Sequence, residues 1–285
     1  MERKVTVAKS AGFCFGVRRA VEQVYSQARE GVQPVYTYGP IIHNDQVVQE
    51  LEEKGVRVIR SLEELEKIRE GTVIIRSHGV SREVQEKMEK QGLLLVDATC
   101  PFVKKIHRIV EQAGRDGEFV VIAGDRNHPE VQGIIGWTLG DSAVVESPEE
   151  MKKLALPANQ KICFVAQTTF NYNKFEELVE ILSKKRYDIH VINTVCNATE
   201  ERQSEAEGIA AKVDVMLVIG GRHSSNTQKI FEICSSKCKN TYFVETLDDL
   251  DTKPFQSFRH VGITAGASTP KKIIEEVQKH VGIKF

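Results

Sequence analysis

The sequence predicts an α/β protein built from three similar modules with mostly parallel sheets, related by a pseudo-threefold axis. Three observations predict it. An apolar strand, a turn of small residues, a cysteine and a helical run recur as KVTVAKSAGFC to Cys14, LLLVDATC to Cys100 and HVINTVC to Cys196. A second strand is followed by a histidine, His43, His128 or His223, at 29, 28 and 27 residues beyond those cysteines. A fourth strand runs into His78, Thr168 or Ser268 at 64, 68 and 72 residues beyond them. Self-similarity at a steady spacing marks one unit used several times, and strands alternating with helices imply parallel sheets covered on both faces. The modules span 1–95, 96–190 and 191–285, each headed by its cysteine strand.

The elements follow in order within each third. After the cysteine, Val17, Ala20, Val21 and Val24 fall at helical spacing, as do Val103, Ile106 and Val110. The run after Cys196 is more polar and gives a weaker helical signal. The second strands are VYTYG, FVVIAG and VMLVIGG, each entering its histidine loop. The third unit is local: VIRSLEELEKI, VVESPEEMKKL and FVETLDDLDTK stop a short strand at Ser61, Ser147 or Thr246, helix N-caps with acids in the following turn. These read as exposed braces. The fourth strands, TVIIR, KICFVAQ and HVGITAG, end in SHG, TT and AST.

Composition narrows the function classes. With 285 residues, 41% hydrophobic, 28% charged and a net charge of −1, the chain is an ordinary globular protein without the basic excess that advertises nucleic acid. No apolar run approaches the roughly 20 residues of a membrane span, and the N-terminus lacks a signal peptide's apolar stretch, so a cytoplasmic location is expected. In such a compartment six cysteines argue against a disulfide framework and for metal ligands or reactive thiols.

In parallel α/β sheets ligands gather beyond the carboxyl ends of the strands. The cysteine, histidine and hydroxyl loops all lie there, so modules facing one axis would bring Cys14, Cys100 and Cys196 to one point. Three thiolates can hold zinc or an iron–sulfur cluster, and either leaves a coordination position open. Cys163, inside KICFVA, reads as core, and Cys234 and Cys238 as packing at a helix end. Ser224, Ser225 and Asn226 open a helix whose free N–H groups and dipole favour an anion. Ser268 and Thr269, before Pro270, repeat the arrangement. Asn44 and Ser81 read as ordinary caps. Glu130, behind His128 and Pro129, is the carboxylate placed beside that anion. Repulsion from a bound diphosphate would raise its pKa and let it act as general acid.

The motifs AGFCFGVRRA, YGPIIHN, SHGV, DATCP, HPEV, QTT, NTVCNAT, SSNT and TAGAST occur in that order over nearly the whole chain. Together they resemble the 4-hydroxy-3-methylbut-2-enyl diphosphate reductases, the LytB or IspH family. The resemblance implies a trefoil of three α/β domains around a central [4Fe-4S] cluster held by Cys14, Cys100 and Cys196, its fourth iron open to the substrate hydroxyl. It implies reductive dehydroxylation of the allylic diphosphate to isopentenyl and dimethylallyl diphosphate, the last step of the methylerythritol phosphate route, with electrons from ferredoxin or flavodoxin. It further implies that His43, His78, His128, Ser224, Ser225, Asn226 and Ser268 hold the diphosphate, that Glu130 relays protons, and that Thr168 supports Glu130 and the substrate hydroxyl. No membrane or nucleic-acid partner is expected. The chain departs from the family pattern at His223, where many relatives carry Asn, and at Ala166, where GQTT is common. Two other readings of the same residues are a zinc hydrolase with Glu130 as base and a non-catalytic cluster sensor. Gly220 and Gly221 read as a hinge.

Overall fold

The computed structural model describes residues 3–157, 160–185, 187–250 and 258–282. Almost every strand runs directly into a helix. In chain order, β1 (Lys4–Val7) leads to α1 (Phe15–Glu30), β2 (Val35–Tyr38) to α2 (Asp45–Glu53), β3 (Arg57–Ile59) to α3 (Leu62–Leu65) and β4 (Thr72–Ile75) to α4 (Arg82–Lys90). Next come β5 (Leu94–Asp97) and α5 (Pro101–Arg115), β6 (Phe119–Ala123) and α6 (Pro129–Ile135), β7 (Ser142–Val145) and α7 (Pro148–Lys153), then β8 (Ile162–Ala166) and α8 (Tyr172–Ser183). The chain ends with β9 (Ile189–Val191) and α9 (Asn197–Ala210), β10 (Val215–Ile219) and α10 (Ser225–Lys237), β11 (Thr241–Val244) with the single 3-10 turn Leu247–Asp249, and β12 (His260–Ala265) with α11 (Lys271–Gly282).

These strands form three four-stranded sheets, ordered β3-β2-β4-β5, β7-β6-β8-β9 and β1-β12-β10-β11. Every described pairing is parallel. The three-module α/β architecture is therefore present, with one difference in strand membership. Each cysteine strand was expected to open its own module; it instead forms the edge of the sheet built by the preceding third. Thus β5 pairs with β4, β9 with β8, and β1 with β12 at the far end of the chain. The reason is the crossover rule: in β4–α4–β5 and β8–α8–β9 the shortest parallel connection lays the next strand beside the last. β1 fills the same place beside β12.

Met1–Val17, His43–Val47 and Asn197–Phe285 pack as one unit, and Arg18–Ile42 with Val48–Cys196 as another. In the second unit, central strands β6 and β8 are buried on both faces, and strict alternation divides their side chains. Val121, Ala123, Ile162 and Phe164 pack with α7 and α8 residues such as Met151, Phe175 and Leu178. Val120, Ile122, Cys163 and Val165 pack with Ile106, Val110 and Ile134 of α5 and α6. In the first unit, β10 divides in the same way, Leu217 facing Val277 of α11 while Met216 and Val218 face Ala206 and Ile230 of α9 and α10. Strands buried on both faces read as continuous apolar runs, which is why VMLVI and ICFVA carry no polar alternation.

The first two bracing units behave as read, while the third opens a 3-10 turn at Thr246 in place of a helix. Ser61 and Ser147 accept the Glu64 and Glu150 N–H groups, while the backbone N–H groups of Arg60, Glu146 and Glu245 donate to the carboxylates of Glu64, Glu150 and Asp249. Residues 251–253 of the third such unit lie outside the described residues. Among those residues, no helix is long and apolar enough to cross a membrane.

Candidate active site

Three cysteines share one local seating. Each follows the edge strand of its sheet, and its backbone N–H donates to a carbonyl in the loop after the neighbouring strand: Cys14 to Ala267 (3.3 Å), Cys100 to Ser77 (2.9 Å) and Cys196 to Thr168 (3.0 Å). These bonds continue the sheet ladder past the strand ends and fix where each thiol leaves the backbone. All three are half-buried, whereas Cys163, Cys234 and Cys238 are buried. Burial pushes the thiols of Cys163 and Cys234 up to about 12. Thiolate is the form that binds metal, so those two are inert packing. Cys234 and Cys238 direct their thiols at the carbonyls of Ala206 and of Val213 and Asp214.

In the unit of β6 and β8, two strand-end loops meet at a carboxyl group. Glu130, in the first turn of α6, is 2% exposed. Thr168, just beyond β8, gives it both available donors, N–H to Oε1 at 2.6 Å and Oγ1–H to Oε2 at 2.8 Å. Burial raises the Glu130 pKa to about 7 and outweighs those two bonds, which act in the opposite direction. The raised value was expected from repulsion by a bound diphosphate; desolvation alone is sufficient. His128 caps α6 by accepting the Glu130 N–H on Nδ1 at 3.1 Å. With Nδ1 accepting, a neutral His128 ring carries its proton on Nε2. The His78 ring lies edge-on to it, centroids 5.3 Å apart.

His107 and Trp137 support this arrangement, and neither was singled out from sequence. His107 belongs to the buried stripe of α5 and stacks on Trp137 with ring centroids 5.4 Å apart. Burial pushes its pKa down to about 4, so it packs as a neutral ring. The indole N–H donates to Val80 O at 2.9 Å, tying the His78 loop to the segment after α6. Gly79 has φ +74°, and a Cβ there would come within 2.8 Å of His107. The signal was available: the chain's only tryptophan, and a histidine four residues after Val103 on an apolar face.

In the other unit, Ser224 caps α10, accepting the Thr227 N–H. Ser268 Oγ donates to His43 O at 3.1 Å and lies 3.3 Å from Ser224 Oγ, so three predicted residues come together. Ser225 and Asn226 lie buried in the first helical turn. Both side-chain polar atoms of Asn226 are buried without a protein partner among the described residues. Leaving such a group so costs about 1–3 kcal/mol, and an anion at the helix start accepting the amide N–H would relieve it for Nδ2. His223 is exposed. Gly220 and Gly221 are close-packed: a Cβ would come within 2.6 Å of Thr227 Oγ1 at the first and 2.8 Å of His43 O at the second. That is a tight junction in place of the expected hinge. Asn44 and Ser81 are ordinary caps, accepting from Val47 and Val84.

A family model described as LytB protein matches residues 5–282. The chain belongs to the LytB family. It is 49% identical over 276 residues to the 4-hydroxy-3-methylbut-2-enyl diphosphate reductase of Caldanaerobacter subterraneus subsp. tengcongensis, covering 96% of this chain and 95% of that one. To the enzyme of the same name from Geobacter sulfurreducens it is 47% identical, covering 98% and 96%. Among solved structures, the E-1-hydroxy-2-methyl-but-2-enyl-4-diphosphate reductase of Plasmodium falciparum matches with a TM-score of 0.92 at 29% identity, over 98% of this chain and 88% of that chain. A second solved structure, of (E)-4-hydroxy-3-methyl-but-2-enyl diphosphate reductase, described as the terminal enzyme of the non-mevalonate pathway, matches with a TM-score of 0.69 at 43% identity, over 98% and 99%.

Proposed function

We propose that this family member reduces 4-hydroxy-3-methylbut-2-enyl diphosphate to isopentenyl and dimethylallyl diphosphate in the cytoplasm. The observation that carries the reading is the matched seating of Cys14, Cys100 and Cys196, half-buried at equivalent strand ends, against three buried cysteines of other roles. Their donor chemistry fits an iron–sulfur cluster. The three thiolates would hold a [4Fe-4S] cluster that, when bound, supplies electrons and an open iron for the substrate hydroxyl. In balance, the allylic C–O bond breaks, two electrons enter one at a time from ferredoxin or flavodoxin, one proton leaves with the hydroxyl as water, and a second goes to carbon.

The chain's own groups bind and move protons. His43, Ser224, Ser225, Asn226 and Ser268 would take phosphate oxygens in one unit, and His78 and His128 in the other, the latter through Nε2–H. Glu130, with a pKa raised to about 7, is about half protonated at neutral pH, and its protonated form would deliver the proton to the departing hydroxyl. Thr168 sets the carboxyl plane by donating to both of its oxygens. Contacts to the phosphates orient the reacting carbon, so losing one should lower turnover as well as affinity.

The test is an anaerobic iron and acid-labile sulfide assay, followed by addition of the allylic diphosphate to the reduced protein. About four irons and four sulfides with electron-dependent product are expected. Zinc without sulfide would overturn the reading.

A further inference from the structure

Two of the loops that end in cysteine are held by an arginine from a helix that another cysteine heads. α9 begins directly after Cys196, and its Arg202 is 3% exposed. Arg202 Nη2 donates to the carbonyls of Ser10 at 2.6 Å and Gly12 at 2.8 Å, while Nη1 donates to Ala198 O at 3.0 Å. Three residues further along α9, Glu205 accepts from the same loop: the Lys9 N–H at 2.8 Å, the Ser10 N–H at 2.9 Å and the Ser10 hydroxyl at 2.6 Å. Guanidinium takes the loop's acceptors and carboxylate takes its donors, just ahead of Cys14. Gly12, with φ +100°, completes a turn that no other residue enters without strain.

The pattern recurs on α1, which begins directly after Cys14. Arg19 Nη1 donates to Thr99 O at 3.1 Å and Nη2 to Asp97 O at 3.4 Å, both carbonyls lying just before Cys100. Arginine suits the task because one rigid planar fork reaches two carbonyls at once; a lysine ammonium is a point donor on a flexible stem. Arg202 and Glu205 are two of the polar residues that weaken the helical signal of α9 in the sequence.

We propose that Arg202 and Arg19 are positioning residues for the cluster ligands, Arg202 fixing the loop of Cys14 and Arg19 that of Cys100. This rests on the reading of those cysteines as ligands. The function of each arginine is specific to one loop, so its loss has an address.

The test is alkylation mapping. Wild type, Arg202→Lys and Arg19→Lys are loaded with iron and sulfide, treated anaerobically with iodoacetamide, and digested so that labelling at each cysteine is followed by peptide mass. Arg202→Lys should raise labelling at Cys14 about tenfold relative to Cys100, and Arg19→Lys should do the reverse, the size expected for losing one charge-assisted hydrogen bond. Iron release to a chelator should rise in both variants. Equal labelling of Cys14 and Cys100 in both variants, or wild-type rates in both, would overturn the proposal. Should Arg202→Lys also expose buried Cys163, marking general unfolding, the half-buried Arg19 decides the matter by the same criterion. A wild-type protein that takes up no iron would sink the cluster reading separately, since labelling is read on the thiols with or without metal.

Discussion

Two neighbouring helices of one sheet begin with nearly the same words. α6 opens on His128-Pro129-Glu130 and α7 on Ser147-Pro148-Glu149, following the paired strands β6 and β7. Both place a cap, a proline in the first turn and an acid near the positive end of the helix dipole, as local energetics favour. Glu149 ends in solvent; Glu130 is buried against Thr168 and titrates near neutrality. The difference lies in what the sheet places above each helix start. β6 is central and followed by β8 and its loop, whereas β7 is the sheet edge. Burial converts a structural acid into a chemical one.

The largest effect expected from this contrast is on turnover. Glu130→Gln should keep the cluster and the substrate yet lose about 10²–10⁴-fold in rate, the range for removing a general acid. Glu149→Gln should leave the rate unchanged. Normal turnover in Glu130→Gln would break the comparison. The pH dependence adds a second reading of the same group. Its folded pKa, about 7, lies above the ordinary 4.5, so its contribution to stability is fully present below about 4.5 and is lost as pH rises through about 7. The loss amounts to roughly 3 kcal/mol at most, at about 1.4 kcal/mol per pKa unit. Activity should fall over the same rise as the proton departs. Denaturant titrations of Glu130→Gln against wild type from pH 5 to 8 should show this slope in wild type alone.

A smaller change tunes Glu130 without removing it. Thr168→Val deletes the hydroxyl bond to Oε2 and leaves the backbone N–H on Oε1. Since that bond favours the charged carboxylate, its loss should push the Glu130 pKa further up and move the alkaline fall in activity to higher pH. The rate at the optimum should drop by about tenfold, because the carboxyl is no longer fixed in plane. An unchanged pH profile would mean that Thr168 does not set the state of Glu130.

How much of this was legible follows from the same distinction between local and distant partners. The caps at Ser61 and Ser147, the three cysteine turns and the Glu130 motif are written in adjacent residues, and the chain shows them at matching offsets. The partner of β1 is not written nearby. Parallel pairing has no hairpin turn to announce it, and β12 lies at the other end of the chain. Arg202 and Glu205 were missed because they serve backbone groups of residues 9–12, and a carbonyl has the same sequence signature everywhere. Burial of Glu130 against Thr168 and the core of α6, which raises its pKa without any ligand, is likewise a tertiary fact that adjacent residues do not announce.

The smallest predicted effect isolates the part that both helix starts share. In α7 the Ser147 hydroxyl accepts the Glu150 N–H at 3.2 Å, and in α6 His128 Nδ1 accepts the Glu130 N–H at 3.1 Å. Ser147→Ala should cost about 1 kcal/mol, the usual loss for a missing N-cap, seen as a lower thermal midpoint with turnover and KM unchanged. His128→Asn keeps a capping acceptor on a short side chain, so its stability should stay near wild type. It loses the Nε2–H donor, however, and its KM for the diphosphate should rise. If His128→Asn altered stability and left KM alone, His128 would be a cap like Ser147, and the contrast between the two helices would rest on Glu130 alone.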